Sequence, residues 1–264
     1  MKHKGNIIAI MSPKGGVGKT VTTANLAAAL ALVYDKKVLA VDTNVSTASL
    51  GMHFGIFFPE HTLQDISGNA GDEKSLHVYH QNLHIIPASI KIKKKEKNLN
   101  SLRENLYSTV KNYEKFLKSL SDDYYLILLD CSPGFDLETL AAMQVASGLI
   151  IVTNPDYPSI ITAARAIEYA KKIKMPVGGL VLNQVRKKKY ELKKEHIEDA
   201  LKIKILEEIP YDRKVQESIA NRKPVVLFKQ NSKSGRAFQK LAASICGEDY
   251  RDSWIRKIIK KVKR

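Results

Sequence analysis

The chain has 264 residues, 44% hydrophobic and 27% charged, which is typical of a globular domain large enough to bury a core. Cys131 and Cys246 form neither a CxxC pair nor a zinc-binding spacing, which indicates a reducing, cytoplasmic compartment. No signal-peptide pattern is present, and no apolar run approaches the ~20 residues of a membrane-spanning helix. We expect one domain over residues 1–247 and a tail over residues 248–264.

The formal charge of +16 is concentrated in three segments. Residues 91–97 carry +4, residues 186–194 carry +5 and residues 251–264 carry +6. Such patches indicate anionic partners, either a membrane surface or nucleic acid. For the two internal segments, ordinary solvated lysines are the alternative.

Short apolar runs alternate with helical patterns along the chain. The runs are continuous in Ile, Leu and Val, which is typical of strands buried on both faces. They lie at residues 6–11, 37–42, 82–87, 124–130, 148–154, 177–183 and 205–210. The helical patterns lie at residues 20–33, 99–120, 160–173, 193–202 and 235–246. This order predicts an α/β fold with a doubly wound, mostly parallel sheet flanked by helices, whose ligands bind at the carboxyl ends of the strands.

A glycine-rich segment, residues 13–20, joins the first strand to the first helix. Glycines let backbone N–H groups turn towards phosphate oxygens, and the helix N-terminus adds its positive dipole end. Lys19 would neutralise the β- and γ-phosphates, and the Thr20 hydroxyl would ligate Mg²⁺. The predicted phosphate-binding residues are Lys14, Gly15, Gly16, Val17, Gly18, Lys19, Thr20 and Val21.

The loop departs from the strict P-loop pattern, because Pro13 replaces its first glycine and a second lysine, Lys14, precedes Gly-Gly-Val-Gly-Lys-Thr. In this the chain resembles the MinD/ParA family of deviant Walker A ATPases. The resemblance covers nearly the whole chain, and residues 62–66 and 83–88 resemble MinD more than ParA. It implies ATP and Mg²⁺ as cofactors and an ATP-dependent homodimer, in which catalytic Lys14 reaches the phosphates held by the partner subunit.

Two strand ends resemble the switch segments of this family. Asp130 would hold Mg²⁺ through water, and Gly134, four residues later, would offer its N–H to the γ-phosphate. A turn or helix-capping role is the alternative for Asp130. Asp42 is a further predicted metal and catalytic residue. The family usually has Asp-x-Asp here, but this chain has Asn44, which can orient water and cannot accept its proton, so we expect slow hydrolysis.

The resemblance also implies the base-binding residues. Asn183 follows a strand, and its amide can pair with both a donor and an acceptor on the adenine edge. Pro210 and Asp212 belong to the second base-contacting segment. Asparagine is also a common residue where a strand meets a loop, which is the alternative for Asn183.

The last eleven residues, 254–264, form two faces when drawn as a helix. The apolar side chains fall within an arc of roughly 140°, and every cation lies opposite. The predicted membrane residues are Trp254, Ile255, Ile258, Ile259 and Val262. This composition is that of an interfacial helix, and MinD proteins carry a similar C-terminal membrane-targeting helix. A terminal helix packed on the domain and a basic tail on nucleic acid are the alternatives.

The leading hypothesis is a MinD-type ATPase that dimerises with ATP and associates peripherally with the cytoplasmic face of an anionic membrane. Its predicted role is spatial regulation of cell division or protein positioning, with a regulatory partner that the sequence does not identify. A ParA-like partition ATPase that binds DNA nonspecifically is the alternative. Iron–sulfur relatives need cluster cysteines, and two unpaired cysteines argue against that class. Because of Asn44, a protein that holds ATP without hydrolysing it also remains open.

Overall fold

A computed structural model describes residues 6–44, 47–66, 72–89, 111–112 and 114–250. Eight strands form one sheet. They are β1 (Asn6–Ser12), β2 (Val38–Asp42), β3 (His77–His80), β4 (Leu83–Ile86), β5 (Leu126–Pro133), β6 (Gly148–Thr153), β7 (Val177–Val185) and β8 (Ile205–Pro210). The α-helices are α1 (Lys19–Leu32), α2 (described over residues 114–120), α3 (Leu137–Val145), α4 (Tyr157–Lys172), α5 (Lys194–Leu201), α6 (Arg213–Ala220), α7 (Val225–Phe228) and α8 (Lys233–Cys246).

The strand order is β3-β4-β2-β5-β1-β6-β7-β8. Every neighbouring pair is parallel except β3 and β4, which are antiparallel. The doubly wound, mostly parallel sheet that the sequence predicted is therefore confirmed. The antiparallel edge strand β3 was not predicted, because it has four residues and no continuous apolar run. Val78 in this strand is largely exposed.

Side chains from alternate positions of the central strands enter two hydrophobic clusters, one on each face of the sheet. In β1, Ala9 and Met11 belong to one cluster and Ile10 to the other. Helices α3, α4 and α5 contribute to the first cluster, and α1 and α8 to the second. Helices therefore cover both faces of the sheet. The carboxyl ends of the parallel strands remain at an edge of the sheet, where loops can hold a ligand.

The predicted helix boundaries lie within a few residues of the observed ones where the structure describes them. Three helices were not predicted, namely α3, α6 and α7, each of nine residues or fewer. The predicted helix over residues 99–120 is described only in its last part. The predicted amphipathic helix at residues 254–264 lies outside the described residues. Within the part of the chain that is described, no helix is long and apolar enough to cross a membrane.

Candidate nucleotide site

The glycine-rich loop runs from the end of β1 to the first residue of α1, as the sequence predicted. Gly16 has φ +75° and Gly18 has φ +94°, a region that residues with a side chain rarely adopt. Gly18 is also fixed by packing, since a Cβ atom there would lie 2.1 Å from Nδ2 of Asn183. These glycines therefore hold the loop in a shape that a residue with a side chain would adopt only with strain.

Lys19 is the first residue of α1, and its side chain is 7% exposed. Burial lowers its pKa, and the nearby Asp130 carboxylate partly offsets this effect. Thr20 lies beside it, with Oγ1 3.4 Å from the Ser49 hydroxyl oxygen. A buried ammonium group has lost its water and therefore favours an anionic partner. At a helix N-terminus it is well placed to bind a polyphosphate.

Asp42 and Asp130 are register partners at the carboxyl ends of β2 and β5. The Thr23 hydroxyl donates to Asp130 Oδ1 at 3.1 Å, whereas Asp130 Oδ2 is buried and has no hydrogen-bond partner among the described residues. Burial raises the pKa of Asp130 to about 6, offset in part by hydrogen bonds from Thr20 and Thr23. One buried oxygen of Asp130 thus lacks a partner and lies near a threonine hydroxyl. Carboxylate and hydroxyl oxygens are ligands that suit Mg²⁺ or the water bound to it.

The Asp42 carboxylate organises the loop that follows β2. Its Oδ2 accepts hydrogen bonds from the backbone N–H groups of Ser49 and Leu50, each at 2.9 Å, and its Oδ1 accepts from the N–H of Asn44 at 3.1 Å. Burial raises the pKa of Asp42 to about 8, and the neighbouring Asp130 carboxylate adds to this rise. Two adjacent buried carboxyl groups store electrostatic repulsion that a metal ion would relieve.

Asn44 also takes part in the structure of this loop. Its Oδ1 accepts hydrogen bonds from the backbone N–H and the hydroxyl of Thr47, each at 3.0 Å. The side chain is buried, with 7% exposure. The amide oxygen that would orient a water molecule is therefore already an acceptor for two protein donors.

Gly134 does not present a free N–H in this structure. It has φ +96°, and its N–H donates to the Ser12 carbonyl at 3.2 Å. That this N–H binds a γ-phosphate therefore stays a prediction. The hydrogen bond ties the loop after β5 to the end of β1, and it would have to break for the N–H to reach a phosphate.

Lys14 is likewise held within its own subunit. Its Nζ lies 2.8 Å from the Ser159 hydroxyl and 3.2 Å from Asp156 Oδ1. Asp156 also caps α4, because Oδ1 accepts from the N–H of Ser159 at 2.9 Å. The Lys14 and Asp156 side chains are 40% and 44% exposed, so this ion pair is weak and easily exchanged. These two partners could not be predicted from the sequence, because they lie at the start of α4, far along the chain from Lys14.

The residues predicted at the base line a cleft beside the glycine-rich loop. The cleft has a volume of about 190 Å³, and its lining includes Gly18, Val21, Asn183, Pro210 and Asp212. The structure therefore brings together the two predicted base-contacting segments and the phosphate loop.

Two of these side chains hold the fold as well as line the cleft. Asn183 Nδ2 donates to the Val17 carbonyl at 2.7 Å, which leaves its second N–H and its oxygen for a base. Asp212 Oδ1 accepts from the N–H of Lys214 at 3.0 Å, and Oδ2 accepts from the N–H and hydroxyl of Ser234. The carboxylate oxygens of Asp212 thus cap α6 and contact the first turn of α8, and its role as a base contact stays a prediction.

Gln184 is a residue that sequence reasoning did not assign. It has φ +58°, and its Nε2 donates to the Gly16 carbonyl at 3.0 Å. Asn183 and Gln184 thus bind two consecutive carbonyls of the phosphate loop. Because a positive φ for a residue other than glycine is rarely evident from sequence, only its position next to Asn183 pointed to it.

Comparisons with known proteins agree with this geometry. The AAA domain family matches residues 5–178, and the NifH/frxC family of 4Fe-4S iron sulfur cluster binding proteins matches residues 125–259. An ATP-binding protein of Methanocaldococcus jannaschii is 32% identical over 96% of this chain and 95% of its own length.

Two solved structures are similar over almost the whole chain. The cell division ATPase MinD of Pyrococcus furiosus has a TM-score of 0.81 and 32% identity, covering 92% of this chain and 99% of that one. The septum site-determining protein MinD of Pyrococcus horikoshii, complexed with Mg-ADP, has a TM-score of 0.79 and 30% identity, with 91% and 96% covered.

The fold, the glycine-rich loop with its second lysine and these similarities define a P-loop nucleoside triphosphatase of the deviant Walker A kind. The chain belongs to the MinD/ParA family of P-loop ATPases. It is therefore an ATPase, with ATP and Mg²⁺ as its cofactors.

The two cysteines do not form a shared cluster site. Cys131 is buried in β5 on one face of the sheet, whereas Cys246 ends α8 and packs on the other face. Burial raises the pKa of Cys131 to about 12. The match to the NifH/frxC family is thus a match of fold and sequence.

Proposed function

We propose that this ATPase is a MinD-type switch, which dimerises when ATP is bound and then associates with an anionic membrane surface to position proteins at the cell division site. The observation that supports it best is the place of Lys14. The lysine lies at the open edge of the nucleotide site in a weak, half-exposed ion pair, where a second subunit's phosphates could replace Asp156 as its partner.

Exposed apolar side chains around this lysine support a dimer face. Phe135 and Leu137 follow β5, and Tyr157 and Ile161 lie on the first turns of α4, beside Asp156. All four are at least one-third exposed, and Tyr157 reaches 67%. A partly apolar surface beside the nucleotide site is typical of a protein–protein interface.

In the proposed reaction, Lys19 and the loop N–H groups would bind the β- and γ-phosphates, and Thr20 and Asp130 would hold Mg²⁺, which when bound would neutralise phosphate charge. Lys14 of one subunit stabilises the charge on the phosphoryl group held by the other. Asn44 cannot accept a proton from the attacking water, so we expect slow turnover. The base lies against Asn183 and the backbone of residues 210–212.

Dimerisation is tested by sedimentation of the full chain with Mg·ATP and with Mg·ADP. We expect a dimer with ATP alone, and Lys14→Ala should bind ATP normally and remain monomeric. Asp156→Ala is the matched control, because it removes the internal partner and keeps the lysine, so it should still dimerise. A Lys14→Ala variant that dimerises and hydrolyses like the parent would disprove the proposed role of this lysine.

Membrane association is tested by co-sedimentation with vesicles of phosphatidylcholine and phosphatidylglycerol. We expect binding with ATP to exceed binding with ADP, because two tails on a dimer bind with greater avidity than one. Ile259→Glu places a charge among the apolar tail residues and should abolish binding. If removal of residues 251–264 left ATP-dependent binding intact, the tail would not be the anchor. ATP-dependent binding to plasmid DNA and none to vesicles would favour the partition-ATPase alternative.

A further inference from the structure

A basic groove lies between the end of β7, strand β8 and helix α8, beside the base end of the nucleotide site, and the two share Pro210 and Tyr211. Its volume is about 660 Å³. The cationic residues that line it are Arg186, Lys187, Lys188, Lys233, Arg236 and Lys240. All six are exposed, and none makes an ion pair with another described residue.

Helix α8 arranges three of these cations on one face. Lys233, Arg236 and Lys240 are spaced three and four residues apart, which places them in a row about 10 Å long on one side of an α-helix. The opposite face of the helix is fixed in the core through Phe238 and Leu241, both fully buried. The row is therefore held rigidly towards the groove.

Across the groove, Arg186 is held by an aromatic ring. Its guanidinium carbon lies 3.6 Å from the centroid of the Tyr211 ring. Stacking keeps the guanidinium group in place beside the ring. An arginine prepared in this way is suited to a phosphate, which it can contact with two N–H groups at once.

The groove adjoins the point where the chain enters its basic tail. Nζ of Lys240 lies 5.5 Å from the ring centroid of Tyr250, the last described residue before the tail segment 251–264. A membrane surface that binds the tail therefore comes within reach of the groove cations. Their positive potential therefore lies next to the residue from which the basic tail begins.

The groove also contains negative charge. Glu207 and Glu208 of β8 line it, and burial raises the pKa of Glu207. A long polyanion that ran through the groove would lie against both glutamates. A lipid headgroup carries a single phosphodiester and needs only the cationic side, so the mixed lining favours the headgroup over a nucleic acid strand.

We propose that this groove binds the headgroups of anionic lipids, so that the globular domain itself is a second membrane contact beside the tail. The inference rests on the membrane association proposed above and names the lipid-facing surface of the domain. With two contacts, the domain would be held in a fixed orientation on the membrane.

The test compares two full-length variants that lose the same charge. The groove variant combines Lys233→Gln, Arg236→Gln and Lys240→Gln. The control combines Lys171→Gln, Lys172→Gln and Lys174→Gln at the end of α4, which packs on the opposite face of the sheet. Both should bind ATP like the parent, which shows that the fold and the nucleotide site are intact.

With Mg·ATP and vesicles that contain phosphatidylglycerol, we expect the groove variant to lose about tenfold or more in vesicle affinity, and the control to stay within about twofold. Equal affinities of the two variants, with the parent bound, would overturn the groove and leave the tail as anchor. A parent chain that did not bind would overturn the proposed membrane association and the groove together. A groove variant that lost only binding to duplex DNA would assign the groove to nucleic acid instead.

Discussion

The phosphate end and the base end of the nucleotide site are built from similar polar residues, but these residues are used differently. At the phosphate end, Lys19 and one oxygen of Asp130 are buried without a strong internal partner. At the base end, Asn183 holds the phosphate loop and Asp212 caps a helix. Atoms left without a partner indicate ligand binding, and atoms with several partners indicate a role in holding the fold.

This comparison predicts that a substitution at the phosphate end leaves the free energy of unfolding intact but lowers ATP affinity. Lys19→Ala removes a buried charge and its desolvation cost, so the free energy of unfolding should not fall, while ATP affinity should drop by about 100-fold. Isothermal titration and urea unfolding of the same variant measure the two quantities. Lys171→Ala, at an exposed lysine near the end of α4, is the control and should bind ATP normally. Undiminished ATP affinity of Lys19→Ala would place the phosphates elsewhere.

The base end should behave in the opposite way. Asp212→Ala removes acceptors from the N–H groups of Lys214 and Ser234, so we expect a loss of about 2 kcal/mol in the free energy of unfolding. ATP affinity should change by less than about threefold, because both carboxylate oxygens already have protein donors. Asp212→Asn keeps one acceptor oxygen and should lose about half as much stability. A large drop in ATP affinity at unchanged stability would restore Asp212 as a base contact.

The same contrast shows what the sequence could predict. The sheet, the strand ends and the phosphate loop follow from local patterns, namely continuous apolar strands and Gly-Gly-Val-Gly-Lys-Thr before a helix. The partners of Lys14 come from residues 156 and 159, and only the folded sheet brings them near. The three short helices α3, α6 and α7 had too few turns to show a periodic pattern. The positive φ of Gln184 depends on its bond to the loop, which sequence does not show.

The carboxyl pair at the phosphate end predicts a pH dependence. Asp42 has an ordinary pKa near 4 when unfolded and about 8 when folded, so between these values the folded chain retains a proton that the unfolded chain has lost. Raising the pH therefore favours unfolding, and without nucleotide we expect a loss of about 1–2 kcal/mol between pH 6 and pH 8. Urea unfolding at both pH values measures it.

Added Mg·ATP should remove most of this pH dependence, because the cation favours the ionised carboxylates. Asp42→Asn is the control, since it cannot titrate and should have a flatter profile. A nucleotide-free parent whose free energy of unfolding is constant or rises between pH 6 and pH 8 would contradict this prediction. That result would mean that burial beside Asp130 does not raise the pKa of Asp42.

Asn44 lies at the phosphate end of the site, yet its side chain has hydrogen-bond partners within the protein, as Asp212 has at the base end. It therefore tests whether position or bonding decides the role of a residue. Asn44→Asp keeps the acceptor oxygen for the Thr47 N–H and hydroxyl, so the loop should persist. The new carboxylate adds a proton acceptor for the attacking water, so we expect ATP turnover to rise about fivefold to tenfold. A general base without other partners would give a larger rise, but Thr47 donates two hydrogen bonds to this carboxylate.

Phosphate release under single-turnover and steady-state conditions measures this change and separates chemistry from product release. Asn44→Ala is the matched control, which loses both the water-orienting amide and the Thr47 contacts and should be slower than the parent. If Asn44→Asp and the parent had the same single-turnover rate, Asn44 would serve only to hold its loop. Asn44 would then hold the fold as Asp212 does, although it lies at the phosphate end. Fold-holding residues would therefore not be confined to the base end of the site.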